Sequence, residues 1–321
     1  MAVYTNISQK ELEELLKQYS LGNLINFEGI SEGVENTNFK ITTTLNNFIL
    51  TIFEKRVAVE ELPFFVELMN HLSKKEYKCP IPISDIKGEH IIKIKNKPGI
   101  IVSFVNGNWV KKIENIHCEQ LGNYLALLHL ATKDFKLKRK NSMGNNNWEK
   151  IFNKFRSKKK DIYGYIFDEI NKELSVLQKE WPRNLPSGVI HADLFQDNVF
   201  FENDKFSGII DFYFACNDYY AYELAICLNA WCFESDQSFN TTKARLILNN
   251  YQNYRPLSND EKNSFHILAR GAALRFLLTR LNDIIFHPPD AIVRPKDPTE
   301  YLKILNFHRH IKSTRDYGLE D

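Results

Sequence analysis

The sequence predicts an α+β chain of two lobes: a small N-terminal lobe built on an antiparallel sheet and a larger, mainly helical C-terminal lobe. Three observations carry this. Strand-like segments crowd the first third, and apolar residues at helical spacing dominate after it. One strand pair then interrupts the helices near residue 195, joined by an unusually polar connection. A chain of 321 residues is long enough for two such bodies. The change of character places the boundary at Val105, giving lobes 1–105 and 106–321.

Ser8 and Glu11 make a capping box for a first helix, Leu12, Leu15, Leu16 and Tyr19 form its apolar stripe, and Gly22 suits its end. Strands are expected at 25–30, 38–43 and 48–53, with the polar turn SEGVENTN (31–38) between the first two. Residues 61–73 read as a helix that tolerates Pro63 in its first turn. CPIPI (79–83) is an extended connection, and 90–94 and 99–104 are two further strands. Helical spacing then marks 116–131, 165–180, 220–233 and 261–286. Residues 199–211 read as a hairpin turning at Asn203-Asp204-Lys205.

Composition excludes several classes of function. Hydrophobic residues make up 43% and charged residues 26%, an ordinary globular balance. A net charge of +2 argues against a dedicated nucleic-acid binder. The densest basic run, KFRSKKK (154–160), reads as a solvated helix face. No apolar run approaches the roughly eighteen residues that a membrane span needs, and no secretory leader is visible. The five cysteines form no CxxC pair, so neither a disulfide framework nor a zinc site is expected. These features fit a reducing cytoplasm. HRH at 308–310 could ligate a metal, although a lone HxH is more often structural or exposed.

The chemistry concentrates in GVIHADLFQDNVFF (188–201), where the loop HADLFQDN joins two short strands. His191, Asp193 and Asn198 have the spacing of a phosphotransfer loop. Asp211 follows in SGIIDF, and folding of the hairpin would carry it back toward Asn198. Two oxygen ligands of this kind suit Mg²⁺, which keeps several waters and shares substrate phosphates. Asp193, at the loop apex, would accept a proton from an attacking hydroxyl. His191 would orient the loop through hydrogen bonds, and Asp197 is a turn residue.

With these motifs the chain resembles the aminoglycoside phosphotransferase and choline kinase group, which shares the protein-kinase-like fold, and within it the type II homoserine kinases. The closer likeness lies in EGVENTNF (32–39), LPFFVELMNHL (62–72), GIIDFYFACND (208–218), ELAICLNAWCFE (223–234), ARGAALRFLLTRL (269–281) and PKDPTEYL (295–302). The resemblance implies ATP and Mg²⁺ as cofactors and L-homoserine as a small-molecule substrate, phosphorylated on its hydroxyl in threonine biosynthesis. It implies that residues 31–38 drape over the phosphates, through Ser31, Gly33, Val34 and Asn36, although a full GxGxxG is absent. Residues 101–105 would be a hinge reading adenine, through Ser103, Phe104 and Val105, residues that suit plain core strand equally well.

The group's phosphate-binding Lys or Arg directly follows the apolar residues of the third strand, where this chain has Thr51. Lys55, four residues on and on the same strand face, is the candidate instead, against a solvated strand end. Its acidic helix partner is Glu61 or Glu67. On the substrate side, Arg275 would grip a carboxylate with its fork or pair with a protein acid. Asp218, Glu223 and Glu234 are candidates for the substrate ammonium, against structural salt bridges, and Trp231 is wall or core. Two rivals stay open: a kinase of choline, methylthioribose or an aminoglycoside, and a nucleotide-binding protein without catalysis.

Overall fold

The structure is a computed structural model that describes residues 5–30, 36–54, 57–158, 163–287 and 295–319. It divides into two compact units. The first runs to Gly107 and also takes in Ser207–Tyr213, while the second is built on Asn108–Phe206 and the helices that follow Phe214. A single cut in chain order at Val105 misses that returning stretch. Within the first unit the stretch is fixed by packing: the Tyr213 ring meets Phe53 at 4.8 Å and Phe65 at 5.8 Å, both edge-on. The Ile209 amide donates to the Lys78 carbonyl at 3.1 Å.

In the first unit, α1 (Gln9–Leu16) opens on the Ser8–Glu11 capping box expected from the sequence. It ends at Leu16, short of Gly22, which instead turns the chain at φ +79° into β1 (Leu24–Ile30). Antiparallel pairing continues through β2 (Thr37–Thr43), β3 (Asn47–Ile52) and β6 (Lys97–Ser103), with the short β4 (Pro82–Ile83) and β5 (Ile91–Ile94) both paired to β6. Strand β2 alternates buried and less buried positions and β3 does so until its buried end at Leu50–Ile52; Ile41, Leu50 and Ile52 share one core with Leu12 and Leu16 of α1. Helix α2 (Leu62–Lys74) starts with a proline in its first turn and buries Phe65, Leu68, Met69 and Leu72.

The second unit is mainly helical: α3 (Asn115–Ala131), α4 (Asn145–Arg156), α5 (Gly164–Glu180), α6 (Tyr220–Trp231), α7 (Thr241–Gln252), α8 (Asn259–Ile285) and α9 (Thr299–His310). Strand β7 (Ser187–Ile190) pairs with β10 (Cys216–Tyr219); β8 (Val199–Glu202) forms a separate hairpin with β9 (Lys205–Ile209), whose residues from Ser207 on are counted with the first unit. Among the described residues no helix is long and apolar enough to cross a membrane. Helices α5, α8 and α9 converge on Glu173, a buried carboxylate held by Arg270 at 2.7 and 3.1 Å and by Arg309 at 2.9 Å. A single unpaired acid there would be costly, and two guanidinium forks meet it.

The HRH triplet is structural. His308 is buried between the Tyr317 hydroxyl, at 2.8 Å from Nδ1, and the Asn229 Oδ1, at 2.6 Å from Nε2. An amide oxygen can only accept, so Nε2 carries the hydrogen and Nδ1 accepts from Tyr317. His310 lies on the exposed end of α9 and meets the Asn306 carbonyl.

Two outcomes follow from this packing. Helices α3 and α7 approach so closely at Gly122 that a Cβ there would sit 2.3 Å from the Ile247 carbonyl oxygen and 3.0 Å from the Tyr251 nitrogen. Backbone cannot yield as a side chain does, so Gly122→Ala should cost about 1–3 kcal/mol of stability, read as a lower melting temperature. Burial, with a smaller contribution from Arg270, lowers the His308 pKa to about 3 from 6.5. The unfolded chain therefore takes up a proton below pH 6.5 that the folded chain refuses until about pH 3, and stability falls as pH drops through that window. His308→Gln should flatten that part of a melting-temperature profile against pH.

Candidate active site

Strand β7 ends at Ile190, and the chain then makes a tight turn. His191 is fully buried, and Ala192 has φ +65°, a left-handed conformation that costs a non-glycine residue about 1–3 kcal/mol unless its surroundings enforce it. They do. The buried carboxylate of Glu223, in the first turn of α6, accepts the His191 amide at 2.6 Å and the Ala192 amide at 2.5 Å. From α8, Arg275 Nη1 donates to the Ala192 carbonyl. Its Nη2 lies 3.9 Å from Asp193 Oδ1, and its guanidinium sits over the Phe276 ring at 4.4 Å. The end of α6 supports the next residues: Trp231 Nε1 donates to the Leu194 carbonyl at 2.9 Å, and Gln196 reaches the Ala230 carbonyl at 3.2 Å.

Asp193 emerges from this turn with its side chain 20% exposed. A short 3-10 turn (Gln196–Asn198) brings Asn198 back beneath it. Asn198 Nδ2 donates to the Asp193 carbonyl at 2.8 Å and points at its carboxylate at 3.4 Å. That use of the nitrogen commits Oδ1 to the role of acceptor or cation ligand. The Asp193 amide donates to His191 Nδ1 at 3.3 Å. Asp197 is exposed. Asp211 belongs to the first unit; it is exposed and left-handed, at φ +62°, just after β9. Among the described residues no three His, Cys, Asp or Glu gather into a metal cluster. A pair of oxygen ligands completed by water and phosphate, as Mg²⁺ prefers, needs none.

A third layer, invisible in the sequence, lies behind Glu223. His129 of α3 is buried with Nε2 3.3 Å from Glu223 and Nδ1 2.8 Å from the Tyr251 hydroxyl of α7. Burial lowers its pKa, more strongly than the hydrogen bond to Glu223 raises it, and favours the neutral ring. The neutral tautomer that satisfies both neighbours donates from Nε2 to Glu223 and accepts Tyr251 at Nδ1.

The structure shows which protein groups surround the substrate candidates. Both oxygens of Glu223 accept loop amides, from His191 and Ala192. Arg275 is only 2% exposed, donates to the Ala192 carbonyl and lies 3.9 Å from the Asp193 carboxylate, so its charge already has acceptors in the protein. Trp231 is core and tied to Leu194. Glu234 pairs with Lys243 at 2.6 Å and Asn240 at 2.8 Å, which hold its pKa below the usual carboxylate range. Asp218 accepts from Asn141 at 2.7 Å and from the Tyr219 amide at 2.8 Å, while burial pushes its pKa up.

In the first unit, Ser103 is used within the sheet. Its amide and hydroxyl both bond Ile81, at 2.8 and 2.9 Å, so its N–H is not available to read adenine. Phe104 lies under Lys40 at 5.3 Å and donates its amide to Asn47 at 3.3 Å, and Val105 packs near Gly208. Thr51 is buried and bonds Asn38 at 2.8 Å. Asn36 is buried, and its Oδ1 has no hydrogen-bond partner among the described residues. Ser31, Gly33, Val34 and Lys55 lie outside the described residues.

Glu223→Gln tests the support of the loop. It would place an NH₂ group where a carboxylate oxygen now accepts an amide, so one buried N–H must lose its partner. The expected cost is about 1–3 kcal/mol of stability, measured by denaturant unfolding, with kcat lowered as well.

Comparison with known proteins agrees with this architecture. The model of a phosphotransferase enzyme family matches residues 26–257. A homoserine kinase of Parvibaculum lavamentivorans is 53% identical over 320 residues, covering 100% of both chains. One of Bradyrhizobium diazoefficiens is 50% identical, over 99% of this chain and 98% of its own. Among solved structures, an amicoumacin kinase in complex with AMP-PNP, Ca²⁺ and Ami superposes with a TM-score of 0.73 at 14% identity, over 96% of this chain and 93% of that one. A choline kinase from Cryptosporidium parvum does so with a TM-score of 0.71 at 15% identity, over 97% of each chain. Those two show the protein-kinase-like fold, and the full-length relatives narrow the assignment: this chain belongs to the phosphotransferase enzyme family, among its homoserine kinases.

Proposed function

We propose that the chain transfers the γ-phosphoryl group of ATP to the hydroxyl of L-homoserine, releasing ADP and O-phospho-L-homoserine for threonine biosynthesis. The observation that carries the chemistry is the Asp193–Asn198 arrangement: a part-exposed carboxylate beside an amide that donates to the Asp193 main chain and keeps its oxygen for an acceptor's role, a donor type that suits a hard cation. Full-length likeness to homoserine kinases carries the choice of alcohol.

Asp193 accepts the hydroxyl proton as that oxygen bonds to phosphorus and the bond from the γ-phosphorus to the bridging oxygen breaks. Asn198 and Asp211 are the proposed oxygen ligands of Mg²⁺, on the strength of their types and spacing. When bound, the ion neutralises charge on the phosphates. Asn36, with its buried amide oxygen, the Phe104 carbonyl and the backbone at Val105 are the described groups proposed to face the nucleotide. Asp218 is the acid that stays a candidate for the substrate ammonium, because a cation there would offset the burial that raises its pKa. The five cysteines are free and buried, which suits the reducing, ATP-containing cytoplasm proposed as the site of action.

ADP release from ATP and Mg²⁺ should be fast with L-homoserine and near background with choline, ethanolamine or an aminoglycoside. Equal turnover of choline would move the assignment to another alcohol. Asp193→Asn should lower kcat by roughly 10²- to 10⁴-fold, the scale of general-base loss, with KM for ATP little changed. Retention of kcat within about threefold would remove Asp193 as the base. Asp211→Ala should raise the Mg²⁺ concentration needed for half-maximal activity; an unaltered Mg²⁺ requirement would remove Asp211 as a ligand.

A further inference from the structure

We infer that Arg275 is a positioning residue for the base: it sets the orientation of the Asp193 carboxylate and takes no part in binding substrate. This rests on the reading of Asp193 as general base. Arg275 is 2% exposed within α8, so its charge is retained at considerable desolvation cost and must be met by acceptors. Its closest polar contacts are two consecutive residues of one loop, and its charge also reaches the buried carboxyl of Asp218. Nη1 donates to the Ala192 carbonyl, and Nη2 is 3.9 Å from Asp193 Oδ1. Nε has no hydrogen-bond partner among the described residues. The fork is therefore directed at the loop, even though one donor is left without a bond.

The geometry at Ala192 explains why this side chain governs the base. The left-handed turn, at φ +65°, presents the His191 and Ala192 amides to Glu223 and the Ala192 carbonyl to Arg275. Asp193 is the next residue, so the direction of its Cα–Cβ bond follows the torsion of a peptide whose oxygen Arg275 holds. Asn198 approaches Asp193 Oδ2 at 3.4 Å, whereas Arg275 approaches Oδ1. Each oxygen of the carboxylate thus has its own neighbour, and rotation about χ2 would disturb both. The plane of the guanidinium is fixed by rings: Phe276 lies 4.4 Å and Phe214 5.7 Å from its central carbon. A lysine has neither that plane nor two separated donors. Only a residue with a rigid fork can hold a carbonyl and a carboxylate oxygen in one fixed relation.

The test is a double-mutant cycle on kcat. Arg275→Met keeps the apolar stem and removes the fork. It should lower kcat by about 10- to 100-fold, because a base displaced by about an ångström loses that much, while KM for homoserine and for ATP each stay within about twofold. In the Asp193→Asn background the same substitution should have no further effect on kcat, since the group it positions is gone. Arg275→Lys should fall nearly as far as Arg275→Met and melt close to the parent, which keeps the test open if the methionine variant folds poorly.

The inference is overturned if kcat losses add across the cycle, if Lys restores kcat, or if KM for homoserine rises alone. The last result would return Arg275 to the substrate carboxylate. If Asp193→Asn itself retains kcat, the reading of Asp193 as base fails first, and this inference with it.

Discussion

A carboxylate and a guanidinium grip opposite ends of the same stretch of main chain, and the candidate site depends on that arrangement. Peptide groups carry a positive N–H end and a negative carbonyl end. Glu223 meets two N–H groups, and Arg275 meets the carbonyl that follows. The two side chains come from α6 and α8, and each would be costly to bury alone. Placed on complementary ends of the turn, they compensate the strain at Ala192 and satisfy each other's charge through the backbone between them. The left-handed turn then fixes where Asp193 points.

This explains why the second unit devotes so much buried polar structure to one loop. His129 donates to Glu223, and Tyr251 donates to His129, so α3 and α7 are tied to the same carboxylate. The close approach of α3 and α7 at Gly122 belongs to this support, since it brings the backbone at Tyr251 against α3. Buried polar chains of this kind are favourable only when every member is satisfied, and the neutral tautomer of His129 satisfies both its neighbours at once. Fold and site are therefore the same set of contacts, read at different distances from Asp193.

Much of the fold was legible because it follows local rules. The capping box at Ser8, the alternation of β2 and β3, and the apolar spacing of α3 and α8 are all set by residues within one turn or one strand. Helices α4, α7 and α9 were not predicted. In α4, Trp148, Phe152 and Phe155 form a single narrow stripe within NNNWEKIFNKFR, too polar elsewhere for composition to signal a helix. In the site, the phosphotransfer spacing of Asp193 and Asn198 was plain from residue types. The partners of the buried charges were not. Glu223 and Arg275 are 52 residues apart in the sequence and meet successive residues of a loop that precedes both. No periodicity can reveal such a pairing. A buried Arg in an apolar helix announces only that it needs an acceptor.

That ambiguity has a physical lesson for amino-acid substrates in general. A fork suited to a ligand carboxylate is equally suited to a catalytic carboxylate and its neighbouring carbonyl, so residue type cannot separate recognition from positioning. What separates them is burial and the direction of the donors. A recognition arginine must be able to lose its partner whenever substrate leaves, which requires water or a mobile acid nearby. Arg275 is nearly fully enclosed between aromatic rings and has permanent acceptors in the loop. It would have to break both contacts to greet a ligand, and the strained turn at Ala192 would then lose one of its two restraints. On the proposed reading of Asp193 as base, the arginine is part of the scaffold that aims it, and the ends of the substrate fall to groups closer to solvent.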